Sequence, residues 1–100
     1  MVDRKRIVQL LEEKRPHLAA EFGVTKIGLF GSHAEGRASA TSDIDIVVEF
    51  GRPIGFRFLE FVEYLEALFG QTVDVLTPTG IQNIRIKRVA QDITESIVYV

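Results

Sequence analysis

Residues 42–48 read Ser42-Asp43-Ile44-Asp45-Ile46-Val47-Val48, and their alternation decides the fold. A strand sends successive side chains to opposite faces, so Ile44, Ile46 and Val48 share one face while Asp43, Asp45 and Val47 share the other. The isoleucine face belongs to a core. An ionised aspartate is costly to bury unpaired, so the opposite face must meet solvent, a cation or a strong donor. Asp43 and Asp45 are separated by roughly 6.6 Å along such a strand, and carboxylates so placed can converge on two cations ~3.5–4 Å apart. A strand is therefore predicted from Asp43 to Phe50, half of it core wall and half of it site.

Working outward, Val24 to Phe30 is a second apolar strand running straight into Gly31-Ser32, and the small, polar residues 33–42 suit a short helix and a turn. Upstream, Asp3 is placed as an N-cap for a helix whose apolar positions are Ile7, Leu10, Leu11, Leu18 and Phe22; Gly23 should end it, and Pro16 should kink or restart it. Downstream, Gly51, Pro53 and Gly55 break the strand. Phe58, Phe61, Val62, Leu65, Leu68 and Phe69 then trace one helix face up to Gly70. From Thr72 to Leu76 the alternation returns, with Val73 and Val75 on one side and Thr72, Asp74 and Leu76 on the other. Thr77 and Pro78 open a predicted helix with Ile81, Ile84, Val89 and Ile93 inward, and Ile97 to Val100 supply a last short strand. This order implies an α/β or α+β fold, a small mixed sheet of three to four strands flanked by helices, as one domain over residues 1–100.

The 100 residues, 46% hydrophobic and 26% charged, suit a single small core. A core of that size is marginal by itself, which points to a partner or a dimer. With no cysteine there are no disulfides, thiolate nucleophiles or cysteine-ligated zinc, a composition that fits the cytosol. Asp3, Arg4, Lys5 and Arg6 precede an amphipathic pattern in place of the apolar run of a signal peptide or membrane span. A net charge of −2 argues against direct DNA binding, and the basic runs Arg4–Arg6 and Arg85–Arg88 read as solvated helix faces. His17 and His33 are too few for a histidine metal site, and His17 reads as a surface residue. The stripe of Phe58, Phe61 and Phe69 reads as core or as a partner-facing helix surface.

The chemistry collects around Gly31-Ser32. A glycine between a strand and a helix lets backbone amides approach closely, and with the serine hydroxyl they can receive phosphate oxygens. No Gly-Lys-Ser/Thr terminates a glycine-rich stretch, so this is not a P-loop.

Gly31-Ser32, ten residues, then Asp43-Ile44-Asp45 resembles the signature of the DNA polymerase beta-type nucleotidyltransferase superfamily. Four fixed positions at one spacing arise by chance about once in a thousand chains of this length. Within that superfamily the chain resembles the minimal nucleotidyltransferases, whose pattern runs Gly-Leu-Phe-Gly-Ser, Ser-Asp-Ile-Asp and then a strand bearing a third aspartate. Gly28 to Ser32, Ser42 to Asp45 and Asp74 match it. The family often has arginine, glycine and an acidic residue after the serine loop, whereas here the charges are exchanged as Glu35, Gly36 and Arg37.

The resemblance implies that Gly31 and Ser32 hold the triphosphate of ATP, with Arg37 in place of the family arginine. It implies that Asp43, Asp45 and Asp74 are the catalytic carboxylates and hold two Mg²⁺. It further implies transfer of AMP to a protein hydroxyl, that of a tyrosine in a HEPN-domain toxin, by an antitoxin of a type VII-like toxin–antitoxin pair, in the cytoplasm and in a homo-oligomer or a hetero-oligomer with the toxin. The alternative is a nucleotidyltransferase-fold binding module that neutralises its partner by steric masking. Transfer to a small molecule such as an aminoglycoside is a third reading, disfavoured because such enzymes carry an additional substrate domain.

Overall fold

The computed structural model of the protein describes residues 3–34, 43–78 and 97–100, with Ser32 and His33 described by their backbone alone. Helix α1 spans Arg4–Phe22 and begins where the Asp3 carboxylate accepts the Arg6 amide at 2.8 Å, satisfying one of the donors a helix N-terminus leaves unpaired. Its buried residues are Ile7, Leu10, Leu11, Leu18 and Phe22, the apolar set of the sequence pattern. Gly23, at φ 73°, caps it through its amide to the Leu18 and Ala19 carbonyls.

Of the kink or restart expected at Pro16, the restart does not occur: α1 runs through it without a break. Both Pro16 and Glu12, four residues earlier, are exposed, so a carbonyl deprived of its amide partner there can tilt toward water.

Strand β1 (Val24–Phe30) leads into α2 (Gly31–Ala34), β2 covers Ile44–Phe50, and a 3-10 turn at Gly55–Arg57 precedes α3 (Phe58–Phe69). Strands β3 (Val73–Leu76) and β4 (Val98–Tyr99) complete a four-stranded sheet in the order β3-β2-β1-β4. It is mixed: β1 pairs antiparallel with β2 and with β4, whereas β2 and β3 run parallel, joined by α3 as crossover. The expected helix after Pro78 and the turn after residue 34 lie outside the described residues.

A β-bulge explains the irregular burial of β1. Val24 opposes Phe50 and Lys26 opposes Glu49, leaving Thr25 as the extra residue, its hydroxyl donating to the Glu49 carbonyl at 3.0 Å. The extra residue shifts the alternation, so Val24, Ile27 and Leu29 all enter the core although their spacing is not two throughout.

The main core lies between one sheet face and helices α1 and α3. Ile27, Leu29, Ile44, Ile46 and Val48 meet Ile7, Leu11 and Leu18 from α1 and Phe61, Leu65 and Phe69 from α3. Phe61, wholly buried, sits edge-on to Phe22 and Phe50 with ring centroids 5.4 Å away in each case. His17 is exposed, as expected, and lies against Tyr64 at 5.2 Å.

The last turn of α1 carries no basic residue of its own. Two arginines from the segment after β2 supply the missing donors. Arg52 donates to the Ala20 carbonyl at 3.1 Å, and Arg57 donates to the Glu21 carbonyl at 2.5 Å while pairing with the carboxylates of Glu21 and Glu60. The Glu60 hydrogen bond first, then that of Glu21, holds the Arg57 guanidinium protonated beyond its ordinary range.

Candidate active site

The opposite sheet face carries the carboxylates. Asp45 is opposed by Phe30 on β1 and by Asp74 on β3. The parallel register places Asp45 and Asp74 side by side on strands ~4.8 Å apart. Both belong to the face opposite Ile44, Ile46, Val73 and Val75. Asp43 lies two residues before Asp45 at the entry to β2, next to Thr72 at the entry to β3, where the Ile44 amide donates to the Thr72 carbonyl at 3.0 Å. Asp43 and Asp74 are exposed and Asp45 is half-buried. Beyond the aspartates, Phe30 and Val47 are buried together, with Leu76 and Ile97 packed on them. The face thus grades from three acids to a small apolar floor.

Each of the inner acids leans on its surroundings. The Asp45 carboxylate lies against the Gly31 backbone so closely that a methyl group there would overlap one carboxylate oxygen and stand 3.1 Å from Cγ and 3.3 Å from Cβ. Gly31 also has φ 73°, a conformation that L side chains adopt only at a cost. Glycine is therefore required twice over at the β1–α2 junction. The Asp43 carboxylate accepts a hydrogen bond from the Thr72 hydroxyl.

Backbone geometry therefore brings Asp43, Asp45, Asp74 and Gly31 to one end of one face. The side chains do not make a ready cage: among the described residues no three acidic, histidine or cysteine side chains stand close enough together to hold a metal ion. Carboxylate oxygens are nonetheless the donors that Mg²⁺ takes, and the exposed Asp74 can turn about its side-chain bonds without moving the sheet. The residues fit such an ion in chemistry and in face. Ser32 is placed in α2 by its backbone, directly after Gly31; Arg37 lies outside the described residues. Thr72 is the member of the cluster that strand patterning alone did not single out, although Thr72-Val73-Asp74 repeats the spacing of Asp43-Ile44-Asp45 and is the signal that finds it.

Residues 5–100 match the nucleotidyltransferase domain family. The chain belongs to that family. A relative from Thermococcus cleftensis, named protein adenylyltransferase MntA, is 36% identical over 101 residues, spanning 100% of this chain and 98% of the relative. A solved structure described as a minimal nucleotidyltransferase superposes with a TM-score of 0.70 at 26% identity, over 97% of this chain and 95% of the other. The fold is also that of a chain in a toxin–antitoxin crystal structure with AMP-PNP, at TM-score 0.62, 21% identity and coverage of 98% and 72% respectively. The expected α+β nucleotidyltransferase fold with a small mixed sheet is the one observed. Among the described residues, no helix is long and apolar enough to cross a membrane.

Proposed function

We propose that this protein transfers AMP from ATP to a hydroxyl of a partner protein and acts as the antitoxin of a toxin–antitoxin pair, the acceptor being a tyrosine of a HEPN-domain toxin. The observation that carries the reading is the register of Asp45 beside Asp74, with Asp43 at the same end of the same face and Gly31 against Asp45. The adenylyltransferase name of the Thermococcus cleftensis relative and the toxin–antitoxin context of the structural neighbour support it.

In this reading Asp43, Asp45 and Asp74 hold two Mg²⁺, which supply neutralisation of phosphate charge. Asp74, exposed on β3, accepts the proton of the incoming hydroxyl in the same reading. Gly31 and Ser32 present backbone and hydroxyl donors to the triphosphate, and Arg37 adds a cation to it. The apolar floor of Phe30 and Val47 limits water beneath the carboxylates, which strengthens every charge interaction above it. The acceptor oxygen attacks the α-phosphorus, the bond to the bridging oxygen breaks, and pyrophosphate leaves.

The test is incubation with ATP labelled on the α-phosphate, Mg²⁺ and the protein encoded beside it, repeated with Asp43→Asn and Asp45→Asn. Label should enter the partner with wild type and not with either variant. Neutralisation of the partner by both variants, with no label transferred by wild type, would establish steric masking in place of transfer.

A further inference from the structure

We infer that Thr72 is a positioning residue for Asp43, an inference that rests on the nucleotidyltransferase reading of the carboxylate face. The Thr72 hydroxyl donates to Asp43 Oδ1 across the β2–β3 boundary. Strand alternation puts Thr72 on the face of Asp74, and Asp43 on the face of Asp45, so this hydrogen bond belongs to the same surface as the remaining acids.

What makes the hydroxyl a fixed reference is the peptide that carries it. Its carbonyl oxygen accepts the Ile44 amide from β2 at 3.0 Å. In a strand the N–H on the other side of that peptide points the opposite way, and β3 is the outermost of the described strands, so the Val73 amide faces away from β2. There it donates to Glu66 Oε2 of α3 at 3.1 Å, a charge-assisted bond to a half-buried carboxylate. The Thr72–Val73 peptide is fastened by the sheet on one side and by a core helix on the other. Asp43, which precedes the first paired residue of β2, receives through Thr72 an anchorage that its own strand does not provide.

The chemistry suits a metal ligand. A carboxylate has two oxygens, and a hydroxyl bound to Oδ1 restricts the rotation of the group while leaving Oδ2 as a donor for a cation. A hydroxyl does so without bringing a positive charge that would oppose the cation.

The experiment measures Mg²⁺-dependent binding of a non-hydrolysable ATP analogue by calorimetry, with melting followed by circular dichroism, for wild type, Thr72→Val, Thr72→Ser, Glu66→Gln and Asp43→Asn. Valine keeps the shape and strand preference of threonine without its donor; Thr72→Ala replaces it should the valine variant not fold. Thr72→Val should weaken Mg²⁺-dependent binding by about tenfold or more at an unchanged melting temperature. Thr72→Ser should restore it, and Glu66→Gln should give a smaller loss in the same direction. Wild-type binding by Thr72→Val, or binding by Thr72→Ser as weak as that of Thr72→Val, overturns the positioning role provided Asp43→Asn has lost binding. Wild-type binding by Asp43→Asn overturns the metal-site reading itself.

Discussion

Replacing Gly31 with alanine should separate the structural demand of the β1–α2 junction from the demand of the site. The residue sits at φ 73°, and an alanine held there costs roughly 1–2 kcal/mol relative to the right-handed regions. The added methyl also overlaps one oxygen of the Asp45 carboxylate, so the acid must swing aside from the Gly31 backbone. The tip of an aspartate yields easily, so the backbone contribution dominates stability. For a domain near this size each kilocalorie lowers the melting temperature by about 4–8 °C, which places the loss at roughly 4–16 °C. The functional effect should be larger than the stability effect, since the group displaced is a proposed metal ligand. Thermal melts by circular dichroism and label transfer from ATP would read the two quantities separately, and a double-mutant cycle with Asp45→Ala would connect them. Removing the Asp45 carboxylate removes the overlap, so Gly31→Ala should be less destabilising in the Asp45→Ala background, by an interaction energy on the order of 0.5 kcal/mol or more. A Gly31→Ala protein that melts with wild type and transfers label at the wild-type rate, or strict additivity in the cycle, would refute the account.

Phe61→Ala should cost roughly 3–5 kcal/mol, a large share of the stability of a small domain, and lower the urea midpoint accordingly, because Phe61 is wholly buried among Phe22, Phe50 and Phe58. Phe61→Leu should lose much less. Gly28→Val should loosen β4: a Cβ at residue 28 would stand 3.0 Å from Ile97, Tyr99 and the Val98 carbonyl alike, and amide exchange at the β1–β4 pair should accelerate. Arg57→Ala should lower the melting temperature at low salt more than at high salt, since its pairs with Glu21 and Glu60 are exposed. The sign of its pH dependence follows from a raised pKa: the stabilisation is complete below the ordinary arginine value and is lost only as the pH rises past it, so titration of Arg57 should leave melting across neutral pH unchanged.

Much of this architecture is legible one element at a time. The alternation of Asp43 to Val48 assigns the two faces of β2 correctly because the side-chain period of a strand is a local property, and Gly23 and Gly70 mark the ends of α1 and α3 because the left-handed cap is local as well. Pro16 shows the limit of such reasoning. The lost hydrogen bond is certain from the residue type, but whether the helix breaks depends on solvent access and on the packing of Leu10, Leu11 and Leu18 on either side, which the local sequence does not contain. The bulge at Thr25 is hidden for a similar reason, since an extra residue is defined only against the partner strand.

The site depends on the same distinction. Strand patterning identifies Asp43, Asp45 and Asp74 as acids facing away from a core, yet it leaves open which of them are neighbours. That is decided by the parallel β2–β3 register, in which Asp45 meets Asp74 and Ile44 meets Val73. A slip of one residue would set Asp45 against Val73 or Val75 and turn one strand's acids toward the core, where an unpaired carboxylate is strongly disfavoured. The apolar alternation of both strands therefore enforces the register that brings the acids together. The bonds at the strand entries, from the Ile44 amide to the Thr72 carbonyl and from the Val73 amide to Glu66, select the same register from the polar side. Folding and site assembly are thus one event here: the pairing that buries Ile44, Ile46, Val73 and Val75 against α1 and α3 is the pairing that sets the carboxylates beside one another.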